Sequence, residues 1–468
     1  MEKHMLIDVR NIAPKDLPYI ATWIVYYAWV IVFTTWWTAS PAADAVFSAD
    51  ARATLHAVNL LASAFFVVVL KREWFAGAAR IGGGCLLAVF AASFALPMPA
   101  QLHTALNLLL GVAMGLVNAG ILVPFVFVLN NTGKFYAVVG ANLLISALML
   151  LQESGLADLF GSAVFPFAML LAGLLPLARF RRGDFVPCAS ASLRTIPKAE
   201  GTVYFTIFLN CLYAILCKGV GKMYILLADA QTPLALSGIY YAGAILGCAV
   251  YYFVYAALRN SNIATWNITF GSFVIAMLLY AAGRSGPLLI VFAVLLGIGS
   301  TMGMINMYYI LGVIGKKYQS MGYVRASIVV IGCVGGITGV VLGKWASAYP
   351  DGIALTVAAV SAAVIVLLLI VSPTLSRIYY SREWSEDSRK PEIDNEKVYM
   401  FARFGLSKRE TELCKLFLEG YTMRQSAAVL GISYATVNTY QTSLYRKLGI
   451  NSRTELLLLF REYLQPRA

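Results

Sequence analysis

The stretch PYIATWIVYYAWVIVFTTWWTA, residues 18–39, carries no charge and is long enough to cross a bilayer as one helix. Lys3, Arg10 and Lys15 precede it, as basic residues precede a secretory leader. A cleaved leader has an apolar region of only about 7–15 residues. The stretch therefore predicts an uncleaved first transmembrane helix. The same pattern recurs as far as Ser372, in runs of 18 or more mainly apolar residues. The 468-residue chain is 60% hydrophobic and 13% charged, which excludes an ordinary water-soluble protein, where about a quarter of residues are charged. Within lipid, helices satisfy their own backbone polar groups. The expected fold class is thus all-α, a polytopic membrane bundle.

Twelve spans can be drawn: 18–39, 51–70, 76–96, 102–130, 134–152, 157–178, 202–222, 232–258, 262–282, 287–314, 323–345 and 353–372. The fourth, eighth and tenth are long enough to tilt or to project beyond the bilayer. The net charge of +13 is distributed unevenly. With the N-terminus inside, the inner loops hold Lys71, Arg72, Arg80, Lys134, Arg179, Arg181, Arg182, Arg194, Lys198, Arg259, Lys316, Lys317, Arg325 and Arg377. The outer loops hold mainly Asp44, Asp50, Arg52, Asp158, Asp229, Arg284 and Asp351. This alternation predicts a multi-pass protein of the inner (cytoplasmic) membrane with both termini in the cytoplasm. The seven cysteines are scattered without a C-x-x-C pair and read as small apolar residues, not as a disulfide or zinc framework.

The longest internal connection, Arg179 to Gly201, divides the membrane domain, 1–372, into halves of about 1–178 and 202–372. This 6+6 layout with a basic central loop resembles the major facilitator superfamily, through helix number and spacing. That superfamily often has a Gly-, Asp- and Arg-containing signature between its second and third helices. Here the segment reads LKREWFAGAAR, which keeps the basic residues and loses the Gly and Asp pattern. Ordinary transport is correspondingly in question.

Beyond Pro373 the chain turns polar. Residues 373–396 read as a linker whose first part can continue the last helix, and 397–468 read as a small basic domain. Ser407-Lys-Arg-Glu410, Thr422-Met-Arg-Gln425 and Ser452-Arg-Thr-Glu455 are three capping boxes. Ser433 caps the third helix, and Gly420 and Gly449 are the closing glycines of the first and third. Four helices are predicted, about 408–419, 423–430, 434–448 and 453–464. Gly431-Ile432 makes the tight turn of a helix-turn-helix. Leu413, Leu416, Phe417, Ala427, Leu430, Ile432, Val437, Leu444 and Leu448 are the expected core.

The segment from Leu406 to Leu457 resembles the C-terminal domain of LuxR-type regulators. Leu406, Arg409, Glu410, Gly420, Ala427, Leu430, Ser433, Thr436, Val437, Lys447, Leu448, Gly449 and Arg453 fall on that pattern in order and spacing. Gln425-Ser426 replaces the usual Glu-Ile, Asn438 a common Lys, and Tyr440 a common His. The resemblance implies double-stranded DNA as partner, with the third helix in the major groove. It implies Asn438, Thr439 and Thr442 as base-reading residues. Asparagine can pair with adenine and a threonine methyl can touch thymine. Arg424, Arg446, Lys447 and Arg453 would neutralise phosphates, with Ser433 and Thr436 as hydrogen-bonding partners. Leu456, Leu459, Phe460 and Tyr463 recur at helical spacing on the fourth helix; some pack on the core, the remainder would be an exposed apolar stripe for a partner, and the resemblance implies a homodimer on DNA.

The spans hold many aromatics and amides, and no Asp or Glu lies mid-span as drawn. That argues against proton coupling and not against a facilitator. Trp23, Tyr26 and Tyr27 in the first span, Asn107 and Asn118 in the fourth, Asn210, Tyr213 and Lys218 in the seventh, and Asn306 and Tyr309 in the tenth are the candidates for a small-molecule pocket. The alternative is that amides bridge helices and aromatics mark the interfaces. Lys218 and Lys222 lie near the outer end of the seventh span as drawn, where snorkelling accounts for them. His56 and Asn59 read as packing and not as metal ligands. Gly335, Gly339 and Gly343 recur at every fourth position, a spacing that permits close helix contact. No nucleophile–base set, nucleotide loop or metal cluster stands out, so neither an enzyme nor a cofactor is expected.

Overall fold

A computed structural model describes residues 9, 12–35, 49–71, 74–95, 100–154, 164–180, 203–230, 232–257, 261–283, 285–379, 404–418, 421–430 and 432–460. The described chain falls into two compact units, one within the first 379 residues and one covering 404–460. Every regular element in the described residues is helical.

Among the described residues the first unit has twelve main helices, one on each expected span. They are α1 (Leu17–Thr35), α2 (Ala49–Val69), α3 (Phe75–Ala95), α4 (Ala100–Phe127), α5 (Asn131–Glu153) and α6 (Val164–Leu174) in the first half. In the second half they are α7 (Phe205–Asp229), α8 (Leu236–Ala257), α9 (Ser261–Ala282), α10 (Gly286–Lys317), α11 (321–348) and α12 (Pro350–Tyr379). Ten are long and apolar enough to cross a membrane, and α2 and α6 are shorter apolar helices. Two boundaries move in ways that matter. The seventh helix runs on to Asp229, past the expected end at residue 222. The twelfth continues through Pro373 to Tyr379, so the expected linker is helical in its first part.

Helices α7 and α11 are each interrupted by a π-helical segment, Ala214–Val220 and Val329–Gly335. The two helices meet almost backbone to backbone. A Cβ placed on Gly219 would lie 2.5 Å from the Cα of Gly339, so only glycine fits there. The glycine spacing read from the sequence therefore marks a real contact.

The halves also meet where α10 and α11 adjoin. Lys316 Nζ donates to the Leu129 carbonyl at 3.1 Å, just beyond α4. Arg325 Nε donates to Val67 O at 3.0 Å, and its Nη2 to Leu70 O at 3.4 Å, at the C-terminal end of α2. Helix C-termini leave carbonyls unpaired and carry partial negative charge, so cations bind them. Two loop charges that the sequence offers as topology markers thus tie one half to the other.

The second unit has α13 (Lys408–Leu418), α14 (Met423–Leu430), α15 (Tyr434–Leu448) and α16 (Arg453–Leu459). Leu413, Phe417, Ala427, Val437, Leu444 and Leu448 are buried as expected, joined by Cys414, Leu418, Leu456 and Phe460. Leu430 and Ile432 pack at the edge of this core. Helix α16 ends at Leu459, short of the expected 464, and residues 461–468 lie outside the described residues, as do Gly420 and Gly431.

Candidate nucleic-acid interface and membrane interior

The local chemistry of the second unit follows its capping boxes. The Ser407 N–H donates to Glu410 Oε2 at 2.6 Å, and the Glu410 N–H to Ser407 Oγ at 3.3 Å. Thr422 and Gln425 repeat the reciprocal pair at 2.9 and 3.4 Å. The third box is offset. Ser452 Oγ accepts the Glu455 N–H, but the Glu455 carboxylate takes the N–H of Asn451. Ser433 Oγ accepts the Thr436 N–H at 3.1 Å and starts α15, which Gly449 ends with φ at +66°.

These caps hold α15 with one face in the core and the other open. Val437, Leu444 and Leu448 point inward, while Asn438, Thr439 and Thr442 are exposed. The Thr439 and Thr442 hydroxyls donate to the carbonyls four residues back, at 3.1 and 2.9 Å. With the hydroxyls so engaged, the γ-methyls are the free groups, the chemistry that contacts a thymine methyl. Arg446 and Arg424 are exposed, and no contact holds them within the domain.

Two residues expected to contact phosphates, Lys447 and Arg453, also make ties within the domain. Lys447 Nζ lies 2.7 Å from Glu410 Oε2 and 3.2 Å from the Gly405 carbonyl. Ser443 Oγ adds a 2.7 Å bond to the other oxygen of Glu410. Burial of Glu410 opposes ionisation, yet these bonds and those from Ser407 outweigh it and hold its carboxyl down to about 2. Arg453 Nη2 donates to the Phe417 carbonyl at 2.9 Å, and its guanidinium lies over the Phe417 ring. A buried carboxylate and an open helix end need cations, and these two supply them. The sequence signal for this was the spacing of Glu410 and Lys447, which only the fold closes.

The fourth helix also needs correction. Leu456 and Phe460 are buried in the core and are not available to a partner. Leu459 is 40% exposed and its neighbour Leu458 65%, so these two make the open apolar edge of α16. Tyr463 lies outside the described residues.

In the membrane unit the pocket candidates separate into two groups. Tyr26 donates to the Met114 carbonyl, Asn118 Nδ2 to Asn59 Oδ1 and Ser63 Oγ, and Tyr213 to the Ser300 carbonyl. The Tyr309 ring stands edge-on to Tyr255, with centroids 5.2 Å apart. Asn107 is buried. Tyr26, Asn118 and Tyr213 serve the packing of their own half, while Tyr309 also stands edge-on to Phe135 of α5, across the halves, at 6.0 Å. The second group holds an aromatic contact between the halves and two amides with unpaired atoms. Trp23 stacks on Phe125 at 3.9 Å, and Tyr308 of α10 stands edge-on to both Trp23 and Tyr27. Tyr27 donates to Met304 Sδ at 3.5 Å. Asn210 is fully buried with neither amide atom paired. Asn306 accepts from Tyr251 and Thr265 but leaves its Nδ2 unpaired. An unpaired buried amide costs about 1–3 kcal/mol, so it marks a place where a ligand group or water would be favourable. Tyr308 was missed because a run of two tyrosines does not reveal which one faces the other half.

Residues 405–460 match the family described as bacterial regulatory proteins, luxR family. This unit is a LuxR-type helix-turn-helix domain. A stretch of 59 residues is 41% identical to a protein of Aeromonas salmonicida named as an HTH-type transcriptional regulator in the exeN 3′ region. That match spans 13% of this chain and 30% of the relative. The solved structure of a bacterial homologue of the iron transporter ferroportin, in an outward-facing state, superposes with a TM-score of 0.50 at 13% identity. It covers 76% of this chain and 98% of that one. A second structure of such a homologue, soaked with iron, gives 0.48 at 15% identity, over 77% and 98% of the two chains. At such identity the likeness is one of fold. A major-facilitator-like membrane bundle is therefore joined in one chain to a LuxR-type DNA-binding domain.

Proposed function

We infer that the chain is a membrane-integral, one-component transcriptional regulator. The LuxR-type domain binds double-stranded DNA from the cytoplasmic face of the inner membrane, and the facilitator-like bundle senses a small molecule. The observation that carries this reading is the face of α15, on which Asn438, Thr439 and Thr442 are exposed, on the same chain as ten described helices long and apolar enough to cross a membrane. Alternating loop charge supports cytoplasmic termini. The inter-half contact of Trp23, Tyr27, Tyr308 and Met304 is the ligand site in this reading, since a molecule bound there contacts both halves. Coupling requires that the ligand bind two arrangements of the halves with different affinity. Dimerisation on DNA uses the Leu458–Leu459 edge. No catalytic step is assigned.

The test is footprinting with the full chain in nanodiscs, beside the 397–468 fragment. A protected operator whose affinity changes with ligand supports the regulator. No protection at low salt leaves DNA binding without support. A second reading, a working facilitator with a regulatory tail, draws on the transporter fold. Uptake into proteoliposomes would favour it, and saturable binding without uptake would not. Iron is not carried over from the structural relative, because no group of three His, Cys, Asp or Glu that could hold a metal ion occurs among the described residues.

A further inference from the structure

Tyr434 opens α15, directly after its cap Ser433. Tyr434, Asn438 and Thr442 stand at every fourth position, so they share one face of the helix. All three are exposed, Tyr434 to 52%. The tyrosine therefore extends the row of base-reading positions to the N-terminal end of the helix, the end that a helix-turn-helix presents to DNA.

The other exposed hydroxyls at and along α15 all pair with oxygen. Ser433 Oγ and Thr436 Oγ1 bond each other at 2.8 Å. Thr439 and Thr442 donate to the carbonyls of Ala435 and Asn438. The Tyr434 hydroxyl donates instead to Met423 Sδ, at 3.7 Å. A thioether sulfur is a weak acceptor, whereas a phosphate oxygen carries charge and makes a stronger, shorter bond. The exchange of one for the other is favourable. A tyrosine also holds its donor with only two side-chain torsions, so little conformational entropy is lost in the exchange.

The contact with Met423 also says where the hydroxyl lies. Met423 is the first residue of α14, and the next residue, Arg424, is exposed. The Tyr434 side chain thus starts on the helix that enters the groove and ends at the first turn of the helix that crosses the backbone. We propose that the Tyr434 hydroxyl donates to a backbone phosphate of double-stranded DNA, beside the charge supplied by Arg424. Such a contact fixes the register of the domain on the duplex and carries no base preference. It rests on the DNA-binding reading of α15 and adds to it a neutral contact that depends on no cation.

The experiment uses the full chain in phosphatidylcholine nanodiscs and two fluorescent DNA duplexes of unrelated mixed sequence, titrated at several salt concentrations. Tyr434→Phe keeps the ring and removes only the hydroxyl. It should weaken binding to both duplexes about tenfold at every salt concentration. A neutral donor displaces no counterion, so the slope of log affinity against log salt should stay as in the wild type. Arg424→Ala should instead lower that slope by about 1. The thermal transition of the LuxR-type domain should not move in Tyr434→Phe, since the bond lost to Met423 is weak. Wild-type affinity in Tyr434→Phe, a loss confined to one duplex, or a loss matched by a fall in Tm would overturn the phosphate contact and leave DNA binding in place. If the wild type binds neither duplex at low salt, the DNA-binding reading fails and the contact fails with it.

Discussion

Lys447 has two partners inside its own domain, and this decides what its replacement does. Lys447→Ala leaves the nearly buried Glu410 carboxylate without its cation and should cost about 1–3 kcal/mol of domain stability, read by urea unfolding of the 397–468 fragment. Unchanged stability with weaker DNA binding would return Lys447 to the phosphate contacts. Glu410 also sets an acid limit. Its carboxyl is held at about 2 when folded, against an ordinary 4.5, so the stabilisation is complete above about pH 4.5. It is lost as pH falls towards 2, by about 2–3 kcal/mol. A Glu410→Gln fragment should lack this slope between pH 4.5 and 2. Asn438 has no such structural duty. Asn438→Ala should leave unfolding unchanged and relax discrimination at one base pair by about 1–3 kcal/mol, measured by affinity for single-base operator variants. Ser426 stands where relatives usually have isoleucine, and its hydroxyl is buried with no partner. Ser426→Ala should therefore raise stability by about 1 kcal/mol, and a loss would show that the hydroxyl has a use.

At the scale of elements, the caps and the glycines were legible before any coordinates, because both are rules of backbone chemistry. A helix start needs acceptors for its first N–H groups, and two backbones at contact distance leave no room for a Cβ. What the pattern did not contain was the partner of each glycine. Gly219 lay outside the Gly335-Gly339-Gly343 series, yet it forms the other side of that contact. Gly219→Leu should push α7 from α11 and lower the Tm of the full chain, whereas Gly271→Ala, where nothing lies within 4 Å of an added Cβ, should leave it unchanged. Equal effects would mean that helix propensity and not contact governs these sites. The end of α7 was misread for a similar reason. Lys222 interrupts the apolar run, so hydropathy placed a boundary there, while the backbone continues to Asp229.

At the scale of the molecule, the two units have separate hydrophobic cores with no residue in common. Acidification towards pH 2 in a calorimetric scan should therefore move one transition, that of the LuxR-type domain, and Lys447→Ala should move the same one. The sequence by itself determined the fold class, the twelve helices and the helix-turn-helix. These follow from apolar length, loop charge and capping chemistry, all properties of a chain read locally. Only the tertiary structure decided which charged and polar groups are spent on packing and which stay free. It gave Lys447, Arg453, Lys316 and Arg325 to carboxylates and carbonyls far along the chain. Among the described residues it left the Asn210 amide without a protein partner and the Asn438 side chain exposed. The physical reason is that a side chain's duty is set by what lies within about 3 Å of it. In a bundle those neighbours come from helices tens or hundreds of residues away.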